Sequence, residues 1–390
     1  MRLLHTSDWH LGRSFHREDL LGAQARFVDF LVATARSERA DAVLVSGDIY
    51  DRALPGVDAV QLCDEALRRL GALSVPTVLI SGNHDSARRL GFGADLMASA
   101  GVHLRTAPDR CDQPVLLDTG RSQAAIYGIP YLEPAAVRAD LAVEEPGHRA
   151  VLRAAMERIR TDLTRRSPTR SVVLAHAFVT GSSGSDSERD IGDTSVGGAA
   201  AVPATVFDGM DYVALGHLHG AQAVSERIRY SGSPLAYSFS EEHHTKGVWL
   251  VELAEPGAPP RVEQLPCPVE RPLARISGRL EQLLTEDRWS RYENHRLQVT
   301  LTDPGRPVEP MERLRRRFPH TLVLAFEPEG GPRDGRGGYS ERVRGLDDLT
   351  LASGFVEHVR GSAAEPGEQA LLRMAFSAGR DSRNGQDGDR

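Results

Sequence analysis

The stretch Leu3–His10, LLHTSDWH, runs from apolar residues into an aspartate and a histidine. Four later stretches repeat this design, in which a short apolar run leads into one or two metal-ligand residues. They are AVLVSGD at 42–48, TVLISGNHD at 77–85, VVLAH at 172–176 and YVALGHLH at 212–219. A buried strand followed by a tight turn presents side chains in the crevice beyond its C-terminal end. The five stretches therefore predict one site assembled from distant parts of the chain.

The side chains at these strand ends suit divalent cations. The candidate metal ligands are Asp8, His10, Asp48, Asn83, His176, His217 and His219. Carboxylate, amide and imidazole groups together favour Mn²⁺, Fe²⁺ or Zn²⁺. The DxH and GD motifs alone are weak signals, because an aspartate after a strand usually closes a turn, whereas GNHD and HxH are more specific. A lone histidine on an apolar strand is likewise more often a hydrogen-bonded core residue. The ordered combination, with each group at a strand end, favours a metal site.

The chain has 390 residues, which is more than one hydrophobic core usually holds. Strands alternate with amphipathic helical stretches through about residue 250, which predicts a layered α/β domain. The segments that we expect are a main domain at 1–253, a proline-rich linker at 254–272, a smaller α+β domain at 273–330, a flexible glycine-rich loop at 331–345, short helices at 346–378 and a disordered tail at 379–390. The polar loop Gly181–Gly198 follows His176, so we expect it at the mouth of the site.

Composition argues against several classes of protein. No apolar run approaches the roughly 18 residues of a membrane span, and the first strand leaves no room for a signal peptide, so we expect a cytoplasmic protein. Cys63, Cys111 and Cys267 form no CxxC pair, which argues against a disulfide framework or a cysteine–zinc site. The formal net charge of −7 argues against strong DNA affinity of the chain alone. Bound cations or a partner protein could supply positive charge.

The ordered motifs DxH, GD, GNHD, H and GHxH resemble the calcineurin-like metallophosphoesterase superfamily. Within it, HTSDWHLGR, SGDIYDRA, LISGNHDS, ALGHLH and YSGSPLAYSFSE are similar to the SbcD family of bacterial nuclease subunits. The resemblance covers nearly the whole chain and implies a sandwich of sheets flanked by helices, followed by a capping domain. It also implies two divalent metal ions, with Mn²⁺ expected. One would bind to Asp8, His10 and His219, the other to Asn83, His176 and His217, and Asp48 would bridge them.

The same resemblance implies an enzyme and its partners. His84 would donate a proton to the leaving oxygen, and Asp85 would orient its imidazole. The implied activity is exonuclease and endonuclease cleavage at double-stranded DNA ends and in hairpins, during DNA repair, recombination and replication. The implied partner is an SbcC-type ATPase, in a nucleoid-associated heterotetramer that contains a homodimer of this chain.

Two sets of residues near the C-terminus each fit two interpretations. The basic cluster of Arg313, Arg315, Arg316 and Arg317 is either a solvated helix face or a contact to DNA phosphates. Apolar residues recur at helical spacing and either pack within their own domain or contact the ATPase; they are Leu351, Phe355, Val359, Leu372 and Phe376.

Two other functions stay open at this point. Another dinuclear metallophosphoesterase, such as a nucleotide phosphodiesterase or a protein phosphatase, would share the metal ligands but would not need the residues beyond 270. A non-catalytic scaffold on the same fold usually lacks ligands, whereas all seven are present here.

Overall fold

The computed structural model describes residues 1–120, 123–166, 170–188, 201–255, 257–329, 347–360 and 363–384. The chain divides into two compact units, the first made of Met1–Arg275 with Asn294–Gln298 and the second of Ile276–Glu293 with Val299–Arg390. Among the described residues, no helix combines the length and the apolar character that a bilayer crossing requires. The predicted loop at 331–345 lies outside the described residues, as do residues 189–198 of the predicted mouth loop.

Two six-stranded sheets form the first unit, together with a two-stranded ribbon. Its strands are β1 (Arg2–Thr6), β2 (Ser14–Phe15), β3 (Glu18–Asp19), β4 (Ala42–Ser46), β5 (Thr77–Ile80), β6 (Val102–Arg105), β7 (Val115–Asp118), β8 (Gln123–Ile129), β9 (Arg170–His176), β10 (Tyr212–Gly216), β11 (Gln222–Ala223), β12 (Ile228–Tyr230), β13 (Gly247–Glu252) and β14 (Arg261–Pro266). Its helices are α1 (Leu21–Ser37), α2 (Val57–Ala72), α3 (Ala87–Leu90), α4 (Ala94–Ala98), α5 (Pro134–Leu141) and α6 (His148–Arg166). The strand orders are β14-β13-β1-β4-β5-β6 and β11-β12-β10-β9-β8-β7.

The two sheets pack face to face, and helices cover their outer faces. Leu3 and Leu44 of the first sheet share one buried cluster with Ile126 and Leu174 of the second. A separate core lies between the first sheet and helices α1 and α2, and another between the second sheet and helices α5 and α6. The result is a four-layered α/β/β/α sandwich, which confirms the predicted layered α/β fold.

Both faces of the central strands are buried, which explains their continuous apolar sequences. All five residues of β4 and all five of β10 are buried. Strands β1, β4 and β5 are parallel, with Thr6 beside Val45 and Ser46 beside Ile80. In the second sheet β9 and β10 are parallel, with His176 beside Gly216. The C-terminal ends of neighbouring parallel strands therefore lie at one edge of each sheet, where the candidate ligands follow.

The segment at 254–272 contains regular structure in addition to its prolines. Strand β14 pairs antiparallel with β13 from Arg261 opposite Glu252 to Pro266 opposite Gly247. It is the outermost strand of the first sheet, and a proline is tolerated at a sheet edge because no further strand needs its missing N–H group.

The second unit contains most of a three-stranded sheet with the order β15-β16-β17. Its elements are β15 (Leu273–Gly278), α7 (Leu280–Thr285), β16 (Arg296–Leu301), α8 (Pro310–Arg317), β17 (Thr321–Phe326), α9 (Asp348–Arg360) and α10 (Pro366–Asn384). Buried Leu283, Leu314 and Phe318 belong to its core. Helices α9 and α10 contact each other. Helix α10 includes residues 379–384 of the predicted tail, because no proline interrupts it; residues 385–390 lie outside the described part.

Candidate metal centre

Several predicted ligands have a backbone that L-amino acids rarely adopt. The φ angle is +53° at Asp8, +45° at His10, +51° at Asp48 and +103° at His217. Positive φ is uncommon for residues other than glycine, although aspartate and histidine adopt it more often than most. Such strain persists only where the surrounding structure enforces it, and it concentrates at functional sites. These turns aim the side chains beyond the strand ends into one space.

Glycines in the motifs allow the loops to approach one another closely. A Cβ atom on Gly82 would collide with the carboxylate of Asp48, and one on Gly216 would collide with the carbonyl oxygen of Ser46. The glycines of GNHD and GHxH are therefore required by the contact between the strand ends. This contact brings Asn83 and His217 to the same space as Asp48.

The first group of ligand atoms comes from Asp8, His10 and His219, which all lie within 4.8 Å of one another and are buried. The Nε2 atoms of His10 and His219 face each other at 3.0 Å. Two imidazole lone pairs at this distance repel unless a proton or a cation lies between them. A divalent cation satisfies both, so this group fits a metal ion.

The second group surrounds Asp48. Its Oδ2 atom lies 3.5 Å from Nε2 of His176 and 3.7 Å from Nε2 of His10. Nε2 of His176 is also 2.8 Å from Oδ1 of Asn83, and the ring of His217 lies 5.3 Å from that of His176. One carboxylate thus faces ligands from both halves of the site. The structure brings together all seven predicted ligands.

Burial determines the charge of most of these groups. It lowers the pKa of His10 and His217 well below the usual value, so both rings are neutral and can bind a cation. It raises the pKa of Asp8 to about 6. Burial opposes charge on Asp48 and His176 as well, but their mutual attraction outweighs it. The pKa of Asp48 is therefore well below its usual range, and that of His176 rises to about 9.

The donor set fits a pair of divalent cations. Buried carboxylate and imidazole groups converge here, and buried charged groups are costly unless they are paired or coordinate metals. Oxygen and nitrogen donors without thiolate favour hard to borderline ions. The fit is therefore chemical as well as geometric.

His84 faces the same space with one ring nitrogen fixed. Its Nδ1 is 2.8 Å from the carbonyl oxygen of Asp51, to which it donates a hydrogen bond. Its Nε2 lies 4.0 Å from Oδ2 of Asp48, and the residue is only 6% exposed. Ligand atoms of His10, Asp48 and His84 also lie within 4.8 Å of one another. The geometry is thus compatible with His84 either as a proton donor or as a further metal ligand.

The hydrogen bonds of Asp85 differ from those expected of a residue that orients His84. Its carboxylate accepts hydrogen bonds from the backbone N–H groups of Ile49 at 3.1 Å, Tyr50 at 2.9 Å and Gly82 at 2.9 Å. The ring of His84 is fixed instead by its Nδ1–H group, which donates to the Asp51 carbonyl oxygen. Asp85 therefore holds two strand-end loops together, a role that its position next to the histidine did not reveal.

The four arginines of the basic cluster have partners within the second unit. Arg313 pairs with Glu281, Arg316 with Glu312 at 2.9 Å, and Arg317 with Glu293 at 3.0 Å. Arg315 donates to the carbonyl oxygen of Thr321 at 3.1 Å. Three of the four charges are thus locally neutralised, which favours the surface interpretation, and the DNA contact stays a prediction.

The apolar residues of the C-terminal helices are only partly covered. Phe355 is 55% exposed, while Leu351, Leu372 and Phe376 are half-buried. Leu371 and Met374, which the spacing did not single out, are also exposed. The side chain of Val359 lies outside the described residues. Among the side chains that the structure describes, these helices therefore expose part of their apolar surface.

Sequence reasoning missed a set of polar residues behind His219. Ser187, Glu188, Glu241 and Lys246 all make hydrogen bonds to His219 or to one another. Lys246 is the only lysine in the chain. That single departure from arginine was the available signal.

Solved structures similar to this chain include the protein TT1561 of Thermus thermophilus, at 14% identity and a TM-score of 0.40, over 68% of this chain and 99% of that one. A dimetal phosphatase from Danio rerio matches at 13% identity and a TM-score of 0.36, over 67% and 98%. An archaeal phosphodiesterase matches at 10% identity and a TM-score of 0.30, over 68% and 100%.

Two family models match successive parts of the chain. Residues 269–360 match the model SbcD_C, described as the type 5 capsule protein repressor C-terminal domain. This match confirms the resemblance to SbcD-type nuclease subunits. Residues 1–221 match the model of the calcineurin-like phosphoesterases, whose members use two divalent metal ions. Because the match at residues 1–221 covers more than half of the chain, the chain belongs to the calcineurin-like phosphoesterase family.

Proposed function

We propose that this chain is the nuclease subunit of an SbcCD-type complex. It cleaves phosphodiester bonds at double-stranded DNA ends and in hairpins, with Mn²⁺, in DNA repair, recombination and replication. The observation that carries this proposal is the presence of two features in one chain: a complete set of buried metal ligands and a C-terminal region that matches SbcD_C. A minimal phosphatase or nucleotide phosphodiesterase needs only the first.

The ligand groups assign the residues that would hold the cations. Asp8, His10 and His219 would hold one, and Asn83, His176 and His217 the other. Asp48 would contact both, since its Oδ2 faces His10 as well as His176. When bound, two such cations lower the pKa of a water molecule and neutralise the charge of a phosphodiester.

His84 moves the proton that the leaving oxygen needs. The Asp51 carbonyl accepts from Nδ1 and leaves Nε2 directed towards Asp48. A protonated Nε2 can donate to a departing 3′-oxygen, and such general acid catalysis typically contributes a factor of about 10²–10⁴. The nearly complete burial of His84 keeps the ring in this orientation.

A partner protein supplies the positive charge for DNA binding. The net charge is −7, and most of the basic cluster is paired with carboxylates. The exposed apolar side chains of Phe355, Leu371 and Met374 suit docking to a protein surface. We assign this surface to the binding of an SbcC-type ATPase, which would bind the DNA.

A second apolar surface supports a homodimer. Leu54, Val57, Phe92 and Leu96 are 71%, 82%, 87% and 81% exposed. Their segments are adjacent, because Nη1 of Arg89 donates to the carbonyl oxygen of Ala53 at 2.9 Å. Exposed clusters of large apolar residues usually mark interfaces. The surface lies on the first unit and is separate in sequence from the C-terminal helices, so we assign it to a second copy of this chain.

The test compares DNA with a small phosphodiester. Purified protein and Mn²⁺ are incubated with an end-labelled hairpin duplex and, separately, with bis(p-nitrophenyl) phosphate, each with and without the ATPase. The proposal predicts Mn²⁺-dependent cleavage of the hairpin that the ATPase stimulates. Hydrolysis of the small diester with no cleavage of DNA under either condition would favour a nucleotide phosphodiesterase. Inactivity towards both substrates would favour a scaffold.

A further inference from the structure

His219 is held at three separate points by polar groups outside the ligand set. Its backbone N–H donates to Oε1 of Glu188 at 2.7 Å, and its carbonyl oxygen accepts from Nζ of Lys246 at 2.8 Å. Its ring Nδ1 lies 2.5 Å from Oγ of Ser187. Ring position and main-chain position are therefore both fixed from behind the site.

The hydrogen bonds identify which ring nitrogen carries the proton. Lys246 donates to Oε2 of Glu241 at 2.5 Å, and the hydroxyl of Ser187 donates to Oε1 of the same carboxylate. A serine hydroxyl has one proton, so Oγ of Ser187 must accept from Nδ1–H of His219. Nε2 of His219 is then an unprotonated lone pair that faces His10. Lys246, Glu241 and Ser187 thus form a hydrogen-bonded relay that ends at His219. This relay leaves Nε2 of His219 able to bind a cation.

Stability alone does not account for this relay. Glu241 and Lys246 are 1% and 5% exposed, and a buried ion pair is often no more stabilising than apolar residues of the same size. Lys246 also donates to Oγ of Ser233 at 3.0 Å, so the pair is fully engaged. Buried polar groups with complete partners fix one arrangement of their neighbours. Here the neighbour that they fix is a metal ligand.

The two halves of the centre differ in this respect. His176 is oriented by the backbone, because its Nδ1 is 2.9 Å from the carbonyl oxygen of Ser46. His219 instead depends on Ser187, which comes from the loop that follows β9. Substitutions of side chains in that loop can thus affect the first half of the centre without affecting the second.

We propose that Ser187, Glu241 and Lys246 are positioning residues that set the cation affinity of the site formed by Asp8, His10 and His219. This proposal rests on the metal centre proposed above. Partners that orient a metal-binding histidine typically contribute about 10–100-fold to metal affinity. The loop predicted at the mouth of the site thereby acts on the metal centre itself.

Calorimetric titration of the full chain with Mn²⁺ tests the proposal without measuring activity. The wild type should show two binding steps. In Ser187→Ala one step should weaken by about 10–100-fold while the other stays unchanged. Ser187→Thr, which keeps the hydroxyl, should restore the affinity. Ser183→Ala is the matched control, because Ser183 is exposed on the same loop, and it should bind as the wild type does.

The possible outcomes distinguish a failure of the positioning role from a failure of the metal centre on which it rests. Two unchanged steps in Ser187→Ala, or equal weakening of both, would overturn the positioning role. Failure of Ser187→Thr to bind better than Ser187→Ala would also overturn it. A folded wild type that binds no Mn²⁺ would instead overturn the metal centre.

Discussion

Replacement of His84 by asparagine separates proton donation from metal binding. The Asn amide can still donate to the Asp51 carbonyl, the contact that His84 makes through Nδ1, but it has no proton to transfer. We therefore expect His84→Asn to fold and to keep both cations. Its rate of DNA cleavage should fall by about 10²–10⁴-fold, since that is the usual contribution of general acid catalysis.

A rate loss of 10²–10⁴-fold corresponds to about 2.7–5.4 kcal/mol of activation free energy, at about 1.36 kcal/mol per factor of ten. His84→Ala adds a structural loss, because the Asp51 carbonyl loses its donor. That loss should lower the free energy of unfolding by about 0.5–1.5 kcal/mol. The asparagine variant should be closer to the wild type in stability and equally slow in cleavage.

The assay uses two substrates with different leaving groups. A DNA 3′-oxygen needs a proton to depart, whereas p-nitrophenolate departs without one. His84→Asn should therefore be slow on DNA and nearly unimpaired on bis(p-nitrophenyl) phosphate, with two Mn²⁺ bound per chain. Equal losses on both substrates, or the loss of one cation, would show that His84 acts as a ligand, which its position within 4.8 Å of His10 and Asp48 also permits.

Further predictions concern the bridge, the dimer and the partner. Asp48→Asn should remove both cations in elemental analysis of dialysed protein; two retained cations would refute the shared carboxylate. Leu96→Asp should convert a dimer to a monomer in light scattering, whereas Leu116→Asp, at an equally apolar exposed position on β7, should not. Truncation after Gly345 should abolish co-purification with the ATPase but preserve Mn²⁺ binding, and retained co-purification would place the contact elsewhere.

The strand ends were predictable because the parallel strands are buried on both faces. Five apolar runs correspond to β1, β4, β5, β9 and β10, and the candidate ligands lie at the end of each strand or just after it. Parallel pairing brings these ends to one edge, so residues far apart in sequence converge on it. The convergence of these residues was therefore predictable from local sequence, and their binding of metal ions stays a prediction.

Contacts between loops were not predictable in this way. Asp85 lies next to His84 in sequence, yet its carboxylate bonds to the backbone of another strand-end loop. Trp9, flanked by two ligands, is fully buried against Phe27 and belongs to the core. Trp9 lies between Asp8 and His10, which both have positive φ, and residue type alone does not predict such a backbone turn.

The relay behind His219 was hidden for a similar reason. Ser187 lies in the loop after β9, Glu241 and Lys246 lie in the segment before β13, and none of them directly follows an apolar strand end. Strand β14 was hidden by the prolines around it, since an edge strand tolerates a terminal proline.

The central claim is that two cations lie around the carboxylate of Asp48. Crystals grown with Mn²⁺ and measured at the manganese absorption edge test it directly. The account predicts two anomalous peaks roughly 3.5–4 Å apart, one beside His10 and His219 and the other beside His176 and His217. A single peak, or none between these histidines at saturating Mn²⁺, would contradict it.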